Sequence, residues 1–192
     1  MRLVPDGRVL VRVPPWMSRA RVEAWVASRL PSIQRRAARI PRHLICIPQT
    51  LADGERVSIV GHIQEISLSG RTEAARTKQL RQLVTNELDR CVQRAVERHT
   101  IILGQAPSKI MYRDYRGRLG TCRRPHGVIT LHWGLGFLSE RHIEAIVAHE
   151  MSHLKYGSHG PRFWSTVERL YPAYKVPHDE ARMLGPYLRL PR

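Results

Sequence analysis

His149, Glu150, His153 and His159 lie within eleven consecutive residues of a 192-residue chain, and their order suits one kind of chemistry. His149-Glu150-Met151-Ser152-His153 reads HExxH. Residues four apart on a helix sit one above the other on nearly the same face. Two imidazoles at that spacing can reach one ion, with Zn–N distances of about 2.0–2.1 Å. The glutamate between them is not needed as a ligand, and its carboxylate can take a proton from a metal-activated water. A catalytic site of this type needs a third protein ligand and one open position. His159 answers the first need and completes HExxH-x5-H. The pattern predicts a Zn2+ cofactor held by His149, His153 and His159, with Glu150 as general base of a hydrolysis.

Such a site needs elements to hold it. Ser139 is a good N-cap for a helix over 139–156, with Glu140 in its first turn. Ile143, Val147, Met151 and Leu154 face a core on another side from the histidines. Gly157 is expected to end that helix in a left-handed conformation. Pro161, at an allowed first position, then opens a helix over 161–170, with Phe163, Trp164, Val167 and Leu170 inward. Upstream, Leu80, Leu83, Val84, Leu88, Cys91, Val92, Ala95 and Val96 mark a long amphipathic helix over 73–99. Strands are expected at 109–112 and 128–133, separated by a basic, turn-rich loop over 116–122. Short strands and turns are expected over 41–70, around Asp53-Gly54 and Val57. The N-terminal part shows a Pro5-Asp6-Gly7 turn and strand-like Val9, Val11 and Val13. A helix follows Ser18, interrupted at Pro31, with Arg35, Arg36 and Arg39 on its solvated side. The proline-rich tail after Pro172 is expected to wrap the surface. The order of elements indicates an α+β fold, a small sheet packed against helices. One domain is expected over 1–192, strand-rich over 1–70 and catalytic over 71–192.

Other side chains weigh less. His142 and Tyr156 lie seven residues either side of His149: His142 reads as exposed or outside the ligand set, Tyr156 as packing or an oxyanion donor. His126, His132 and His178 have no partner at telling spacing, although His132 precedes the site on a strand. Cys46, Cys91 and Cys122 are odd in number and form no CxxC, which argues against a disulfide framework or a thiolate zinc site. No apolar run approaches the roughly 20 residues a membrane span needs, and Met1–Val13 lacks a signal-peptide core. A cytoplasmic protein is expected. The formal net charge is +16, with 28 Arg against 4 Lys spread along the chain. That field attracts polyanions, yet an arginine-rich composition explains it equally. A nucleic-acid partner therefore stays open, as does a metal-dependent nucleotide hydrolase that receives phosphates at Arg116–Arg124.

Arg118-Leu119-Gly120-Thr121-Cys122, Gly127-Val-Ile-Thr-Leu-His-Trp133, the HEMSHL run, His159-Gly-Pro-Arg-Phe-Trp164 and Tyr171-Pro172 together resemble the YgjP-like metallopeptidase family (the domain-of-unknown-function 45 group). This family is similar to the SprT-like and WLM zinc proteases. The opening VLVRVPPWMSRARVEAWVASRL and Gly54–Gly61 look like the same family's start. The resemblance implies a minimal zincin-like fold with a small mixed sheet over the HExxH helix, and a strand at 127–133 rimming the cleft beside an extended peptide substrate. It also implies zinc at the three histidines and Glu150 as catalytic acid and base. The SprT likeness adds a DNA-associated protease as an alternative. Three positions depart from the family pattern: Leu119 and Thr121 replace Trp and Ser, and His132 replaces Asn.

Overall fold

The computed structural model describes residues 2–3, 9–10, 13–14, 16–38, 41, 44–48 and 50–190. Pro5-Asp6-Gly7, Val11 and Arg39 lie outside them. The chain forms two compact units, Met1–Arg42 and His43–Arg192. The first holds β1 (Arg2–Leu3) antiparallel to β2 (Val9–Leu10), and helix α1 (Arg19–Ala38). Pro31 does not interrupt α1 as expected but lies inside it. A proline removes one donor from the ladder. The Ser28 and Ser32 hydroxyls flank that gap and donate to the Trp25 and Arg29 carbonyls at 2.7 Å each.

The second unit starts with a hairpin of β3 (Arg56–Ile59) and β4 (His62–Glu65). Its two-residue turn has positive φ at both positions, 50° at Val60 and 86° at Gly61. This is the twist that tight hairpins favour. The strain at Val60 is offset where its N–H donates to the Gly136 carbonyl at 2.7 Å. Helix α2 (Glu73–Leu103) then runs 31 residues through the unit. Thr72 caps it by accepting from the Ala75 N–H, and Gly104 closes it at φ 70°. It outruns the expected end because residues 100–103 carry no breaker before that glycine. Its buried stripe runs from Leu80 through Val84, Leu88, Val92 and Ala95 to Leu103.

The sheet has three strands in the order β5 (Lys109–Arg113), β7 (Val128–His132), β6 (Gly120–Arg123). β5 is parallel to β7 and β6 antiparallel to it, so the sheet is mixed. Part of the loop expected over 116–122 thus closes into a strand, from Gly120 onward. Backbone pairing with β7, not side-chain alternation, makes it one.

From β7 the chain turns through 133–137 and packs on α2. A Cβ on Gly136 would lie 2.5 Å from Val84 Cγ1, so only glycine allows that approach. Helix α3 (Glu140–Ser152) lies against α2, with Ile143, Val147 and Met151 fully buried. Outside this seam Arg98 meets Glu144 at 2.9 Å and Arg94 meets Glu140. Helix α4 (Pro161–Leu170) follows. The tail does not wrap the surface irregularly: it forms helix α5 (Lys175–Leu184), which packs on α3 with Pro177, His178, Ala181 and Leu184 buried. The prolines masked this amphipathic turn pattern in the sequence. The architecture is α+β. No helix among the described residues is long and apolar enough to cross a membrane.

Candidate metal centre

The last turn of α3 carries His149 and Glu150. The helix ends at Ser152, earlier than expected, and His153 is its C-cap. His153 keeps right-handed helical dihedrals, φ −67° and ψ −17°, so the one-turn offset from His149 survives. Gly157 is not left-handed, contrary to expectation, because the bend is built from right-handed turns. In these the Leu154, Lys155 and Tyr156 amides donate to the carbonyls of Met151 and Ser152. Gly160 then caps α4 and Pro161 starts it, returning His159 towards α3.

The result brings His149, His153 and His159 together. One nitrogen of each lies within 4.8 Å of the others. His149 Nε2 and His159 Nε2 stand 3.1 Å apart. Two nitrogens at about 2.0–2.1 Å from one tetrahedral ion would be separated by about 3.3 Å, so the spacing fits. Three imidazoles suit zinc and related divalent ions. His153 Nδ1 donates to the Tyr156 carbonyl at 2.9 Å, which leaves Nε2 as the free lone pair. Phe163, 1% exposed, lies under the cluster with its ring 4.5 Å from that of His153. Burial, and then repulsion from His178, His153, His159 and Arg182, pushes His149 down to about 3. Burial lowers His153 in the same sense. Neutral imidazole is the form a metal binds.

Glu150 is 6% exposed. With no partner to hold its charge, burial pushes its carboxyl up to about 8. It lies against the start of β6, where a Cβ on Gly120 would sit 2.6 Å from Glu150 Oε1. Glycine at that position makes the room the carboxylate occupies. A cleft of about 530 Å³ opens over His149, Glu150 and His159, between Arg118–Gly120 on one side and Trp164, His178 and Gly185 on others. β7 does not rim it with a free edge, as the resemblance implied, because β5 and β6 take both of its edges. β6 is the strand beside the helix.

The remaining candidates fall elsewhere. His142 is not exposed but 1% accessible, bonded through Nδ1 to Ser139 Oγ at 2.7 Å and through Nε2 to Glu180 Oε2 at 3.0 Å. Ser139 spends its side chain there instead of capping α3. His132 accepts from the Gly134 N–H at 2.8 Å and does not line the cleft. His126 is exposed in a short turn, and Tyr156 serves the site through its carbonyl alone. Cys46, Cys91 and Cys122 are free thiols.

His178 is the residue that spacing did not reveal. It is 5% exposed and stacks on His149, ring centroids 5.0 Å apart and planes 20° from parallel. Trp164 joins from α4, its ring 5.7 Å from those of His149 and His159.

No curated protein matches the chain. Among solved structures, the crystal structure of the metallopeptidase zymogen of Pyrococcus abyssi abylysin is 29% identical, covering 52% of this chain and 97% of that one, with a TM-score of 0.44. The YgjP-like metallopeptidase domain matches residues 1–182. A metal cofactor and a hydrolytic reaction on protein or peptide come with that match. The chain belongs to the YgjP-like metallopeptidase family and is a hydrolase.

Proposed function

We propose that the protein is a zinc metallopeptidase in which His149, His153 and His159 hold the ion and Glu150 is the catalytic acid and base. The convergence of three imidazole nitrogens within 4.8 Å, next to a buried carboxyl on the same cleft, carries this reading. Zinc held there supplies Lewis acidity towards a carbonyl and acidifies a coordinated water. The protein's own groups do the rest. Glu150 takes a proton from the attacking water and returns it to the leaving amine, a task suited to a carboxyl held near neutrality. Gly120 lets that carboxylate sit under the cleft floor. The Tyr156 carbonyl fixes the His153 tautomer. β6 pairs only with β7 among the described strands, so its outer edge can receive an extended peptide. In this reading 1–192 is one metallopeptidase domain, with the catalytic part in 71–192.

Glu150→Gln should keep stoichiometric zinc and lose turnover of a denatured protein substrate by on the order of 10²–10⁴-fold. Metal analysis and a proteolysis assay on the same preparation read both. Turnover equal to wild type would refute the assignment.

A further inference from the structure

The cleft holds two cations that the hydrolytic machinery does not use. Arg118 comes from the loop before β6 and Arg182 from α5, and both line the same cavity as His149 and Glu150. A close approach brings the two elements together: a Cβ on Gly185 would meet Leu119 Cδ2 at 3.1 Å, one residue from Arg118 and one helical turn from Arg182. Neither guanidinium has a hydrogen-bond or ion-pair partner among the described residues.

The nearby acids are committed elsewhere. Glu180 is held by Arg141 at 2.8 Å and by His142 at 3.0 Å. Asp179 faces His178 Nδ1 at 3.5 Å. Glu150 is buried against Gly120. The cleft therefore presents two forked, unpaired donors and offers a substrate no exposed carboxylate. Guanidinium forks match carboxylates in a bidentate manner.

We propose that Arg118 and Arg182 form a carboxylate subsite, which makes the cleft prefer peptides with an acid close to the scissile bond. That acid is either a Glu or Asp side chain or the free C-terminal carboxylate. The proposal rests on the metallopeptidase reading, because it places the peptide in this cleft. Both arginines are exposed, so the preference is modest and screened by salt.

The test uses zinc-loaded Glu150→Gln protein and fluorescent peptides in matched Glu/Gln pairs, each with a free or an amidated C-terminus. Anisotropy titration reads Kd, and zinc content confirms the fold of every variant. The preferred carboxylate form should bind about tenfold more tightly than its neutral partner, a difference of about 1.4 kcal/mol. The amidated and Gln arms show which carboxylate is read. The preference should shrink in R118Q and in R182Q, vanish in the double variant, and fade at about 0.5 M salt. Equal binding of all four peptides, including no binding of any, overturns the subsite. So does a preference that survives the double variant. A single-stranded oligonucleotide that outcompetes the acidic peptides would also overturn it, by assigning the arginines to a phosphate backbone. Hydrolysis of neutral peptides by wild type is scored separately, so failure of the peptidase reading is not mistaken for failure of the subsite.

Discussion

The two ends of α3 put the same residue type to opposite uses. At the N-terminal end His142 is buried with both nitrogens matched, one to Ser139 and one to Glu180. At the C-terminal end the rings of His149, His153 and His159 crowd within 4.8–5.0 Å of one another, centroid to centroid. There His149 Nδ1 has no partner and its Nε2 faces another nitrogen. Buried polar groups are normally paired. A cluster of nitrogens aimed at one point, with no acceptor between them, is what a cation would resolve. His99 sharpens the contrast. Both of its nitrogens also lack hydrogen bonds, but it stands beside Glu144 at 3.9 Å with no second imidazole, and nothing converges there.

The largest way to break this comparison lies at the C-terminal end, at Gly120. Gly120→Ala places a methyl 2.6 Å from Glu150 Oε1 and forces the carboxylate aside. Displacement of a catalytic group by about 1 Å costs roughly 10²-fold, so kcat should fall that far while zinc content stays at wild-type level. Loss of zinc together with activity would mean that Gly120 supports the ligands instead.

His142→Ala should do the reverse. It removes one of the two links from α3 to Glu180 on α5 and leaves the exposed Arg141 pair alone, so stability should fall by about 1–3 kcal/mol. Zinc affinity should change little. Urea melts of zinc-loaded protein, with metal analysis beside them, separate the two effects.

Much of the metal centre was legible because HExxH needs only helical periodicity, and α3 keeps that geometry through its cap at His153. The third candidate ligand was legible from a helix end expected at Gly157 and a helix start at Pro161; Pro161 does start α4, while Gly157 is not left-handed. His178 was not: Pro172, Pro177 and Pro186 made 172–192 read as irregular, although Tyr174, His178 and Ala181 follow one helical face. β6 was hidden for another reason. Gly120-Thr-Cys-Arg reads as a turn, and only hydrogen bonds to β7 make it a strand. Pro31 shows the opposite error, a strong local breaker carried inside a 20-residue helix.

A further effect concerns pH. Burial, the leading cause, pushes His132 down to about 4 in the folded protein, against about 6.5 when unfolded. Between those values the unfolded chain binds a proton that the native state does not, so stability falls as pH drops from 6.5 towards 4. The full difference is roughly 3 kcal/mol. His132→Asn keeps an acceptor for the Gly134 N–H and should flatten that part of the pH–stability curve. An unchanged slope would place the acid sensitivity at the other histidines that burial lowers, His99, His142, His149, His153 and His178.

The central claim is most directly tested by zinc K-edge absorption on the loaded protein. Three imidazole nitrogens at about 2.0–2.1 Å and one light-atom ligand are predicted, with one imidazole lost in His159→Ala. A sulfur shell near about 2.3 Å, which would bring in Cys122, or a spectrum untouched by that substitution would contradict it.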